Sequence, residues 1–179
     1  MNTRVPAFAI GVLIVIVPAA IAPCAAEVGT SVPKFRATAL SGEPRTEQDI
    51  LGQQTVLVIT RTRGAARACK AWGDTLERRL PRRIALWALL AIEKPFFVPE
   101  KYVLRKAQEK VPPDLWERTW LLTHGNIEKH LGVPSQADEP YVFAFGSDGR
   151  IVARMQGNVT AEKIDGIARA LQTTTITSY

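Results

Sequence analysis

Cysteine and histidine are scarce in this chain, with two of each in 179 residues. Cys24 lies in an apolar N-terminal run, so Cys69 is the one thiol in the remainder. That excludes an internal disulfide framework and a paired-cysteine zinc site, and leaves Cys69 buried and inert, reactive, or paired between chains. His124 and His130 have only Cys69 as company, a meagre ligand set for copper or zinc, and they read as surface or capping residues. No cofactor or metal is expected. There is no Ser-His-Asp order, no phosphate-binding glycine loop and no internal repeat. Aromatics make up 7% of the chain, and the formal charge of +6 is dispersed among acidic residues. Basic residues interleaved with aromatics, the mark of a nucleic-acid surface, are missing, so no nucleic-acid partner is expected.

The N-terminus carries the first positive signal. Arg4 is the only charge before Glu27, and residues 5–26 are apolar and end in small residues. A basic start, an apolar stretch and a small-residue end make a secretory signal, with cleavage expected after Ala26. Pro6, Pro18 and Pro23 disfavour a buried core helix. An uncleaved anchor is the main rival, since the run would cover ~33 Å as a helix and so reach across a bilayer. Lipidation at Cys24, after Ile21-Ala22-Pro23, is a third option with a poorly matching proline. The division expected is a signal or anchor at 1–26, one domain at 27–171 and a polar tail at 172–179. The location expected is periplasmic or otherwise extracytoplasmic, with membrane contact only through residues 5–26 if they are kept.

Within the domain, Lys34 to Leu40 reads as extended, Ser41-Gly42-Glu43-Pro44 as a turn, and Thr46 to Gly52 as a helical turn stopped by glycine. Thr55 to Thr60 is a continuous apolar, β-branched run and predicts a central strand covered on both faces. A basic loop follows, and then Cys69, Trp72, Leu76 and Leu80 fall on one face of a helix ended by Pro81. Arg83 to Ile92 predicts a second central strand, Pro95 and Pro99 bracket a turn, and Glu100 to Val111 predicts a helix stopped by Pro112-Pro113. Trp120 to Thr123 is another strand, and residues 125–132 a short helix. Tyr141 to Phe145, the turn Gly146-Ser147-Asp148-Gly149 and the return strand to Gln156 form a hairpin, with Ile151, Ala153 and Met155 predicted on one face. Thr160 is the expected cap of a last helix striped by Ile164, Ile167, Ala168 and Leu171.

Leu121-Leu122-Thr123, then Ile127 to Val133, then Pro140 to Gly157 with its Asp148-Gly149 turn resemble exported thioredoxin-like proteins of the redoxin and peroxiredoxin branch. Val28-Gly29, Val32-Pro33 and Phe35 resemble the entry strand of the same families. The resemblance covers nearly all of residues 27–171. It implies an α/β thioredoxin-like fold, a central mixed sheet flanked by helices. It also implies a cis bond before Pro140, with that proline facing the cysteine site.

The departure from the family lies at the head of the first long helix. Where thioredoxin-like oxidoreductases carry Cys-x-x-Cys, this chain has Ala66-Arg67-Ala68-Cys69. In the Cys-x-x-x-Cys spacing the first position is Ala65, and the threonine that a peroxiredoxin places three residues before its cysteine is replaced by Ala66. Without a second thiol a mixed disulfide has no internal resolver.

The expectation for function is an exported thioredoxin-fold protein that has lost dithiol exchange. It would act as a binding or assembly module, such as an accessory subunit of a membrane complex, with a protein partner in the periplasm or membrane. The alternative is a single-cysteine thiol oxidoreductase or peroxidase in which Cys69 attacks and an external thiol resolves. For that alternative the supporting residues are Arg63, Arg67, Lys70 and Pro140. With Arg61, the basic side chains and the helix N-terminus are expected to lower the thiol pKa.

Overall fold

The computed structural model describes residues 27–92 and 97–176. The proposed signal or anchor, Pro95 of the expected turn, and the last three residues of the expected tail lie outside them. The described residues form a seven-stranded sheet in the order β2-β1-β5-β4-β3-β6-β7. The strands are β1 (Arg36–Ala39), β2 (Pro44–Thr46), β3 (Thr55–Thr60), β4 (Ala85–Leu90), β5 (Thr119–His124), β6 (Tyr141–Phe145) and β7 (Ile151–Gln156). The helices are α1 (Ala66–Arg79), α2 (Glu100–Gln108), α3 (Ile127–His130) and α4 (Ala161–Ile176).

β3 is the axis of the sheet, as its unbroken apolar run predicts: all six residues are buried. It pairs in parallel with β4 on one side and antiparallel with β6 on the other. Because side chains alternate across a strand, β3 feeds two cores. Leu57 and Ile59 join Phe143, Phe145, Trp120, Ile127 and Leu131 on one face. Val56 and Val58 join Trp72 and Leu76 of α1 and Ile164, Ile167 and Leu171 of α4 on the other. The α1 stripe predicted from sequence is the one that packs, and Thr160 caps α4 by accepting the Lys163 amide at 3.3 Å.

Four details differ from the sequence reading. Pro44 belongs to a short edge strand, β2, and not only to a turn; proline is tolerated there because an edge strand needs no donor on its outer side. The helical turn near Glu47 is a 3-10 turn at Glu47–Asp49, closed by reciprocal hydrogen bonds of Thr46 and Asp49.

The hairpin is the third difference. Its pairing slips between Ala144 and Phe145, whose partners are Ala153 and Ile151. The extra residue is a β-bulge that turns the strand. Ile151 therefore enters one core, while Ala153 and Met155 face the other. Finally, α4 runs on to Ile176, through residues expected as tail.

Candidate functional site

The loop from β3 to α1 lies at the carboxyl end of the parallel strands β3, β4 and β5, where ligands bind in open α/β sheets. It is held by Thr62 Oγ1, which donates to the Ala137 carbonyl at 3.3 Å, and by the Ala66 amide, which donates to the Arg63 carbonyl at 3.2 Å. Ala65 flanks the helix start without a side-chain cap, because alanine has no oxygen to offer. Ala65 is wholly buried, whereas Ala66, the first helical residue, is exposed. Trp72 locks the helix in place, its indole N–H donating to the Gly157 carbonyl at 2.7 Å.

Cys69 sits one turn into α1, half-buried and free, with its amide donating to Ala65 at 2.8 Å. It packs against the core that holds Trp72. Burial pushes its thiol up, from 9.0 to about 11. The direction is opposite to the lowering expected from the basic loop, and the positions of the cations explain why. Arg61 is buried with its Nη1 at 3.1 Å from Glu128 Oε1 of α3, turned toward that carboxylate. Lys70 is paired with Asp74 at 2.6 Å. Arg63 and Arg67 are exposed, where water screens them. Desolvation of the thiolate outweighs what remains.

Arg67 lines an open cleft of about 460 Å³ together with Gly64, Ala68, Ala71, Asp138, Glu139 and Asn158. Neither Cys69 nor Pro140 lines it. Pro140 is buried and its carbonyl accepts the Gly157 amide at 3.0 Å. No peptide bond among the described residues is cis, so the isomer implied for Pro140 is corrected to trans, the form favoured by ~0.5–1 kcal/mol in any X-Pro bond. The structure thus brings Arg67 to a cleft wall and leaves Arg63, Lys70 and Pro140 off it.

Sequence reading did not single out Asp138, Glu139 or Glu128 as site residues. The only signal for the first two was their place just before Pro140. His130 Nδ1 lies 2.9 Å from the Asn126 carbonyl of its own turn. Among the described residues no group of three or more His, Cys, Asp or Glu is placed to share a metal ion.

No protein-family model matches the chain, and no curated protein matches it. Solved structures do. The exposed lipoprotein thioredoxin Etrx1 of Streptococcus pneumoniae superposes with a TM-score of 0.56 at 14% identity, over 79% of this chain and 99% of that one. The thioredoxin domain of a thiol-disulfide oxidoreductase from Bacteroides vulgatus gives 0.55 at 14% identity, over 83% and 98%. BsSco, of the Sco family of cytochrome c oxidase assembly proteins, gives 0.59 at 12% identity, over 86% and 98%. The fold is thioredoxin-like: a mixed sheet flanked by helices, with the cysteine-bearing helix leaving the end of a central strand.

Proposed function

We propose that this chain is an extracytoplasmic thioredoxin-fold protein that has lost dithiol–disulfide exchange and works as a binding or assembly module for a protein partner, as an accessory subunit of a membrane complex would. The observation that carries this reading is the head of α1. Its exposed first residue, Ala66, bears no sulfur, and the lone thiol one turn in is raised to about 11 by burial. At neutral pH such a thiol is ionised in only ~1 part in 10⁴, and the thiolate is the nucleophile. The cleft beside it, between Arg67 and the Asp138–Glu139 loop, is the surface assigned to the partner.

Two of the structural relatives bear on location and role. One is an exposed lipoprotein and another belongs to a family of cytochrome c oxidase assembly proteins. The apolar run at residues 5–26 supports the same location. The test is turnover of peroxide and of a model disulfide by wild type and Cys69→Ser. Equal, negligible rates are expected. Activity that disappears with the serine variant would overturn this reading in favour of a single-cysteine oxidoreductase. The mass of the mature protein decides the fate of residues 1–26.

A further inference from the structure

The end of the sheet opposite the cleft carries the strongest charge cluster of the chain: Arg78, Arg79, Arg82 and Arg83 lie within six residues that contain no acid. All four are exposed. Arg79 pairs with Asp165 at 3.2 Å, and Arg78 donates to Thr75 Oγ1 at 3.4 Å. Arg78, Arg82 and Arg83 have no carboxylate partner among the described residues. Glu77, the nearest acid in sequence, is engaged by Arg118 at 2.9 Å. Two arginines in the last turn of α1 suit the helix dipole. Arg82 and Arg83, beyond the helix end, have no such local role.

The position of the chain's entry gives this cluster a direction. Arg83 stands two residues before Ala85, which is paired with Thr55 at the amino end of β3. Phe145 is also paired with Thr55, and Ile151 with Phe145, so the start of β7 lies at that same end. There the first described residues are attached. The Gly29 amide donates to the Ile151 carbonyl at 2.7 Å, and Ser31 bridges Arg150. Glu27 and Val28, the latter 67% exposed, therefore emerge at the arginine end, about four strand spacings or ~19 Å from β4. The run that precedes them, residues 5–26, is long and apolar enough to sit in a bilayer.

We infer that the Arg78–Arg83 end of the domain lies on an anionic phospholipid surface, which holds the cleft at the opposite end away from the membrane. This rests on the extracytoplasmic location proposed above and on the rival fate of residues 5–26, retention as an anchor. A tether at residue 27 brings this end to the headgroups, and the three exposed guanidinium groups without a carboxylate partner, Arg78, Arg82 and Arg83, meet phosphates bidentately there. Each basic residue near an anionic surface contributes about fivefold in affinity, so these three together favour this orientation by about a hundredfold.

The test is hydrogen exchange on the full chain reconstituted in nanodiscs of zwitterionic lipid alone or with a third anionic lipid. The expected result is slower exchange at residues 80–85 with anionic lipid only, lost in Arg82→Gln/Arg83→Gln and in high salt, with residues 63–68 unchanged. Four outcomes overturn the inference. Equal exchange in the two lipids removes the lipid contact, and protection at 63–68 instead reverses the orientation. Protection of 80–85 by soluble polyglutamate on zwitterionic discs, matching that given by anionic lipid, reassigns the cluster to acidic proteins. Failure of the full chain to enter discs of either kind removes the tether itself. The first three leave the tether intact, so the two failures are distinguishable.

Discussion

Around β3 and β6, every strand residue is buried, and α1 and α4 close over them with Trp72, Leu76, Ile164, Ile167 and Leu171 all nearly or wholly inaccessible. Across the sheet, beyond β4, the cover is thinner. Five of the six residues of β4 are only partly covered although the strand is central. Helix α2 buries no residue at all. It is moored by polar contacts, from Thr38 Oγ1 to Glu100 at 3.2 Å and from Gln108 Nε2 to the Leu40 carbonyl at 2.6 Å. Trp87 of β4 stacks on Trp120 with centroids 4.8 Å apart, yet its indole N–H is buried without a hydrogen-bond partner among the described residues. The difference locates the folding free energy. Apolar burial scales with area removed from water, so the half that carries α1 and the cleft supplies most of it, and the α2 half is the part free to yield.

The largest effects are expected in the well-covered half. Phe143→Ala, at a wholly buried position, should cost ~3–5 kcal/mol in denaturant unfolding. A loss below 1 kcal/mol would show that the two halves do not differ as their burial indicates. Glu128→Ala removes the carboxylate facing Arg61 inside the protein and should cost on the order of 3 kcal/mol, since one partner of a buried pair is left behind. Glu128→Gln, which keeps the shape, should cost less, and the contrast sharpens whether charge or packing holds the site loop.

On the other half, Leu104→Ala in α2, which is only partly covered, should cost under ~1 kcal/mol. A loss comparable to that of Phe143→Ala would erase the comparison. A separate effect is pH-dependent and belongs to Cys69. Above 9.0 the unfolded thiol ionises while the folded one keeps its proton until about 11, so wild type should lose stability across that window relative to Cys69→Ala. Parallel pH profiles for the two proteins would refute the raised value.

How legible was this in the sequence? The β3 run, the α1 stripe, the hairpin and the cap at Thr160 were, because each is a local pattern whose period matches the element it forms. The slip between Ala144 and Phe145 was not, because alternation in one strand is silent on its register with the next. The Arg61–Glu128 pair joins residues far apart in sequence, and nothing nearby marks Arg61 as different from Arg63. Counting Arg61 and Lys70 among free cations is what made a lowered thiol pKa the natural expectation. The trans bond at Pro140 went the same way, since the expectation came from likeness and not from any neighbouring residue.

The hydrogen bond from Trp72 to Gly157 spans 85 positions of the chain. It sets a fully enclosed indole at the joint between the helix that walls the cleft and the turn that launches α4. Any occupant that levers α1 outward must break that bond and wet the ring. With the other three tryptophans replaced by phenylalanine, the emission colour of Trp72 would therefore act as a strain gauge on the wall of the cleft proposed for the partner.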